Sequence, residues 1–160
     1  MTYDFRIAAA DTPTMYRDLA SALEGLVAGE PDAIANMANA AALIFETLPD
    51  VNWAGFYRNV GGELVLGPFQ GRPACIRIKF GEGVCGVAAQ SRELQRVEDV
   101  NAFPGHIACD SASASEIVVP LIRDEHVLGV LDIDSPHTGR FTEEDEAGCV
   151  GLGEILSRVL

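Results

Sequence analysis

Glu116-Ile117-Val118-Val119-Pro120-Leu121-Ile122, then Arg123-Asp124-Glu125-His126, then Val127-Leu128-Gly129-Val130-Leu131-Asp132-Ile133-Asp134, is the stretch on which the fold turns. Two runs rich in β-branched residues, joined by four polar ones, predict strands over Ile117–Ile122 and Val127–Asp134 paired as an antiparallel hairpin. Side chains alternate along a strand, so Asp132 and Asp134 share one face, with Cα atoms roughly 7 Å apart. If the turn pairs residues whose numbers sum to 250, Glu116 stands opposite Asp134 on that face. A slip of one residue would send it to the other side. Three acids at the open end of one hairpin make either a cation-binding or proton-donating pocket or a solvated sheet edge. Buried together, they would disfavour full ionisation.

Working outward, Val51 to Arg58 and Glu63 to Phe69 flank Gly61-Gly62 and read as a second hairpin. Ile76 to Phe80 and Leu94 to Val97 are shorter candidate strands. Between them Val84 to Ser91 follows Gly81 and Gly83 and reads as a short helix. Asp99 to Ser115 is a long loop, a length that often carries function. The first third is helical. Thr12 as cap and Pro13 as first helical residue precede Tyr16, Leu19, Leu23 and Leu26 on one face. After Gly29-Glu30-Pro31 a second helix carries a stripe of Ile34, Met37, Ala38, Ala41, Ile44, Phe45 and Leu48, ended by Pro49. Thr142 with Asp145 forms a capping-box pattern that opens a last helix, with Cys149, Leu152, Leu156 and Val159 inward. Helices at both ends of a meandering antiparallel sheet define one α+β domain over residues 1–160.

Bulk composition narrows the partners. With 24 acids against 11 bases the net charge is −13, which repels phosphate backbones and anionic lipid heads. No apolar run reaches the length of a membrane span. Met1-Thr2-Tyr3-Asp4-Phe5-Arg6 lacks the basic flank and apolar core of a signal peptide, so a cytoplasmic location is expected. In that compartment four cysteines point to reactive, metal-binding or simply buried thiols rather than structural disulfides.

Cys75, Cys85 and Cys109 fall in the strand-and-loop region and form no C-x-x-C pair. Cys109 sits in the long loop as His106-Ile107-Ala108-Cys109-Asp110, where a thiol is reachable and His106 is near in sequence. It is either a nucleophile or an ordinary loop cysteine. A zinc site from the three cysteines and His106 matches no compact ligand spacing. Cys149, on an amphipathic helix, reads as a small core residue. On the Asn52-Trp53-Ala54-Gly55-Phe56-Tyr57 strand, Trp53 and Tyr57 flank Gly55 on one face. They form either a core pair or a slot for a methyl or thioether group.

These segments together resemble the free methionine-R-sulfoxide reductases, enzymes of GAF-domain fold, from about Asn52 to the last helix. The motifs are Asn52-Trp-Ala-Gly-Phe-Tyr57, Gly67-Pro-Phe-Gln-Gly71, Ala74-Cys75-Ile-Arg-Ile78, Gly83-Val-Cys85-Gly86, Gly105-His-Ile-Ala-Cys-Asp110, Ser115-Glu-Ile-Val-Val-Pro120 and Leu131-Asp-Ile-Asp-Ser135. The resemblance implies that Cys109 attacks the sulfoxide and that Cys75 and Cys85 supply resolving thiols. It implies that Trp53, Tyr57, Glu116, Asp132 and Asp134 line the substrate pocket. It further implies recycling by thioredoxin, a homodimer, and chemistry that needs no metal or bound cofactor. The competing classes are a non-enzymatic GAF sensor of a small ligand and a redox switch without turnover.

Overall fold

The computed structural model describes Ile7, residues 11–107 and residues 112–160. The proposed nucleophile, Cys109, lies outside the described residues. Helix α1 spans Thr12–Val27 and is capped by Asp11, whose side chain accepts from the Thr14 N–H at 2.9 Å. The cap is thus one residue before the expected Thr12, because the Asp11 carboxylate reaches the free N–H groups of the first turn. Tyr16, Leu19, Leu23 and Val27 are its buried positions. Helix α2 spans Ala33–Thr47 and is capped by Asp32. Its stripe is rotated from the expected one. Ile34 and Ala38 are exposed, whereas Asn36, Ala40 and Leu43 are buried with Met37, Ala41 and Ile44. Asn36 can face inward because its Nδ2 donates to the Glu30 carbonyl at 3.0 Å and the Val159 carbonyl at 3.3 Å.

Among the described residues six strands follow these two helices: β1 (Trp53–Val60), β2 (Glu63–Gly71), β3 (Arg77–Lys79), β4 (Gln95–Val97), β5 (Ser115–Arg123) and β6 (His126–Ser135). Helix α3 (Gly83–Ser91) lies between β3 and β4, and α4 (Glu143–Val159) closes the fold. Within the expected long loop, Val100–Ala102 forms a 3-10 turn. Asp124 and Glu125 take φ of 50° and 64°, the left-handed pair that lets a two-residue hairpin turn follow the strand twist. The sheet order is β3-β2-β1-β6-β5-β4, and every neighbouring pair is antiparallel. The early strands therefore meet the late ones at a β1–β6 seam.

Strand alternation sorts the side chains into two layers. Ala54, Phe56, Ile117, Val119, Leu121, Leu131 and Ile133 pack with α1, α2 and α4. Trp53, Tyr57, Val118 and Val130 face the other way, where α3 contributes Val84, Cys85, Ala88 and Ala89. On α4 the Thr142–Asp145 capping box forms as expected, and Cys149, Leu152 and Leu156 are fully buried. Among the described residues no helix is long and apolar enough to cross a membrane.

Candidate active site

The site is built on two adjacent rows of the sheet, on the α3 side. Glu116 stands opposite Asp134, the register expected from the hairpin. Asp134 in turn pairs with Trp53 across the seam, and Val97 flanks Glu116 on the far edge. The next row holds Gly55, Asp132 and Val118. Both Glu116 and Asp132 are buried, at 7% and 5% exposure. Helix α3 lowers Cys85 onto these rows. A side chain at Gly86 would collide with the Lys79 carbonyl, so glycine there lets the helix rest directly on the end of β3. Cys85 Sγ then lies 3.8 Å from Glu116 Oε1. The acids, Cys85, Trp53, Tyr57 and His106 surround a cavity of about 40 Å³.

Burial governs the protonation of this cluster. It raises the Asp132 carboxyl well above the usual carboxylate range, reinforced by the charges of Asp134 and Glu116. Burial also raises Glu116, against the opposing pull of its hydrogen bond with Asp132 and the nearby His106. For Cys85, burial and the Asp132, Glu116 and Asp134 charges together push the thiol well above its ordinary value. Cys85 therefore holds its proton more firmly than an exposed thiol does. One oxygen of Asp132, Oδ1, is buried without a hydrogen-bond partner.

The aromatic residues are arranged differently from the expected slot. Trp53 and Tyr57 stack at 6.0 Å between centroids, and Trp53 also stacks on Phe69 at 5.2 Å. Phe69 pairs with Gly55 across β1 and β2. A Cβ at Gly55 would strike Phe69 and the Trp53 ring. The space above Gly55 is thus filled by these neighbours rather than left between two rings. Sequence periodicity along β1 could not reveal this, because the filling ring comes from the opposite strand. The two β1 aromatics also fasten the segment before β3. Trp53 Nε1 donates to the Arg72 carbonyl at 3.1 Å, and the Tyr57 hydroxyl donates to the Cys75 carbonyl at 3.0 Å. Cys75 is disulfide-bonded, while Cys85 and Cys149 are free thiols. His106 lines the cavity, a proximity that its place in sequence alone left open. Ser113 and Ile107 also line it and carried no sequence signal of their own.

The GAF-domain family matches residues 30–160. The free methionine-R-sulfoxide reductase of Escherichia coli is 54% identical over 145 residues, covering 91% of this chain and 88% of the relative. The chain belongs to the free methionine-R-sulfoxide reductase family of GAF-domain proteins. Protein YtsP of Bacillus subtilis is 54% identical over 154 residues, 95% of this chain and 94% of its own. A free methionine-R-sulfoxide reductase from Neisseria meningitidis, solved by X-ray in complex with its substrate, aligns with a TM-score of 0.94 at 45% identity. That alignment covers 98% of this chain and 95% of the other. Family likeness therefore includes the helical first third as well as the segments from Asn52 onward.

Proposed function

We propose that this chain reduces free L-methionine-(R)-S-oxide to L-methionine by thiol chemistry. The observation that carries the reading is the convergence of Glu116, Asp132, Asp134 and Cys85 beside Trp53 and Tyr57 in one buried pocket, in a chain so similar to named reductases of this substrate. The pocket acids pair with the α-ammonium of the free amino acid, and Trp53 and Tyr57 offer the apolar wall for the methyl end. The Cys109 thiolate attacks the sulfoxide sulfur while a carboxyl of the pocket donates a proton to the oxygen. Methionine leaves, and Cys109 carries the oxygen as a sulfenic acid. A resolving thiol then expels water and closes a disulfide. Cys75 fits this part, because it is disulfide-bonded. Cys85 serves as the second resolving thiol. Thioredoxin, a dithiol protein, reduces the disulfide by exchange, so the enzyme itself holds no cofactor. A homodimer in the cytoplasm completes the reading, and the dimer rests on the family resemblance.

The test uses both sulfoxide diastereomers of free methionine, with N-acetylated and peptide-bound forms alongside, under dithiothreitol. Removing a buried charge partner costs roughly 2–5 kcal/mol. At about 1.4 kcal/mol per decade, blocked forms should react at least tenfold more slowly. The free R form should be the preferred substrate, and Cys109→Ser should form no methionine even in a single turnover. Equal rates on blocked forms, or a preference for the S form, would overturn the substrate. Full single-turnover product from Cys109→Ser would overturn the nucleophile. No sulfoxide-dependent turnover at all would leave a sensor or a redox switch.

A further inference from the structure

We infer that Cys85, Glu116 and Asp132 form a site for a single zinc ion, which competes with substrate for the same pocket. One donor atom from each of the three lies within 4.8 Å of the others, and all three residues are buried. Tetrahedral zinc with Zn–S near 2.3 Å and Zn–O near 2.0 Å places sulfur and oxygen donors roughly 3.5 Å apart. The observed Cys85 Sγ to Glu116 Oε1 separation is 3.8 Å, so a contraction of a few tenths of an ångström completes that edge. The ligands also come from three rigid elements, α3, β5 and β6, rather than from a loop. Asp132 Oδ1 supplies a second sign, being a buried oxygen that no backbone, amide, guanidinium or hydroxyl donor satisfies. The cavity of about 40 Å³ has room for an ion and a water in the fourth position.

The donor chemistry selects the ion. Magnesium and calcium take oxygen ligands, whereas a thiolate beside two carboxylates suits zinc. On binding, Zn²⁺ forms one bond to Cys85 Sγ and one to an oxygen of each acid, and the protons those groups held pass to solvent. No redox change is involved. The competition rests on the proposal that these acids receive the substrate ammonium. The metal site itself does not.

Cobalt(II) tests the site directly, because thiolate-to-cobalt charge transfer absorbs in the near ultraviolet. The protein is titrated with its Cys75 disulfide intact, leaving Cys85 and Cys149 as free thiols among the described residues. One equivalent should develop the band. Zn²⁺ should displace it, Cys149→Ser should keep it, and Cys85→Ser should lose it. Asp132→Asn, nearly identical in shape, should weaken cobalt binding at least tenfold, and it carries the test if Cys85→Ser does not fold. Absence of the band in the wild type, its persistence in Cys85→Ser, or unchanged affinity in Asp132→Asn overturns the site. In parallel, Zn²⁺ should raise the KM for sulfoxide and leave kcat unchanged. A saturable cobalt signal with an unaltered KM would uphold the metal site and overturn its overlap with substrate.

Discussion

A methyl group added at Gly55 would strike Phe69 and the Trp53 ring, whereas one added at Gly151 on α4 meets nothing within 4 Å. The same chemical change therefore has opposite signs. Gly55→Ala forces the Trp53–Phe69 stack apart and should cost about 1–3 kcal/mol. Gly151→Ala relieves the entropy of glycine in a helix and should stabilise by about 0.5–1 kcal/mol. Urea denaturation of both variants checks the pair. Cys149 offers a second residue-scale case. It is fully buried, 3.7 Å from the Tyr16 hydroxyl, and burial chiefly raises its pKa to about 12. It should resist alkylation in the native protein. Cys149→Ala should retain near-normal turnover with a stability loss of about 1–2 kcal/mol. A thermal melt beside an activity assay decides it. The cysteine's inward position was legible from helical spacing. The Gly55 packing was not, since Phe69 reaches it through pairing between strands and a register shift between Gly55 and Tyr57.

At the level of elements, α4 is anchored at its start by one carboxylate. Asp145 accepts from the Thr142 N–H at 2.8 Å, the Arg140 guanidinium at 3.0 Å and the Tyr16 hydroxyl at 2.8 Å, tying α4 to α1. Burial alone would raise its pKa. The Thr142 backbone and the Tyr16 and Arg140 contacts outweigh that, and the group ends below its ordinary value. A pKa lowered on folding stabilises above the unfolded value, near ~3.9, and is lost as pH falls through the folded one. Unfolding free energy should therefore decline in acid for the wild type, and less steeply for Asp145→Asn. At neutral pH that variant should be less stable by roughly 3 kcal/mol, since it leaves Arg140 and Tyr16 without their charged partner. Urea titrations from neutral to acid pH measure both effects. The Thr142–Asp145 box was visible in four consecutive residues, but its tie to Tyr16 was not, because no local pattern links α1 to α4. The β5–β6 hairpin shows the converse. A short turn fixed its register, so Glu116, Asp132 and Asp134 could be placed on one face from sequence. What put Cys85 above them was the docking of α3 at Gly86, a long-range contact invisible to periodicity.

Across the whole molecule, both layers share one sheet, and Trp53 is the sole tryptophan in the chain. Its ring lines the pocket, so its emission reports on the site while circular dichroism reports on the helices. Because β1 carries core residues to both faces, the two signals should vanish together on heating or in urea. Gly129→Ala, whose new methyl would strike the Tyr57 carbonyl across the seam, should lower both midpoints equally. Transitions that separate would show that the layers melt independently.

The seam has a consequence for how the protein comes into being. Trp53 and Tyr57 arrive early in synthesis on β1, and Asp132 and Asp134 arrive late on β6, yet the two strands are direct neighbours. A ribosome-bound chain that has made only the first hairpin holds the aromatic wall with no acids facing it. Such distant pairing closes a long loop, and contacts of that kind slow folding. The pocket therefore cannot close before β6 is made, and a chain that stops short of β6 lacks its two aspartates. The chemistry of the pocket thus depends on a join between segments made at opposite ends of synthesis.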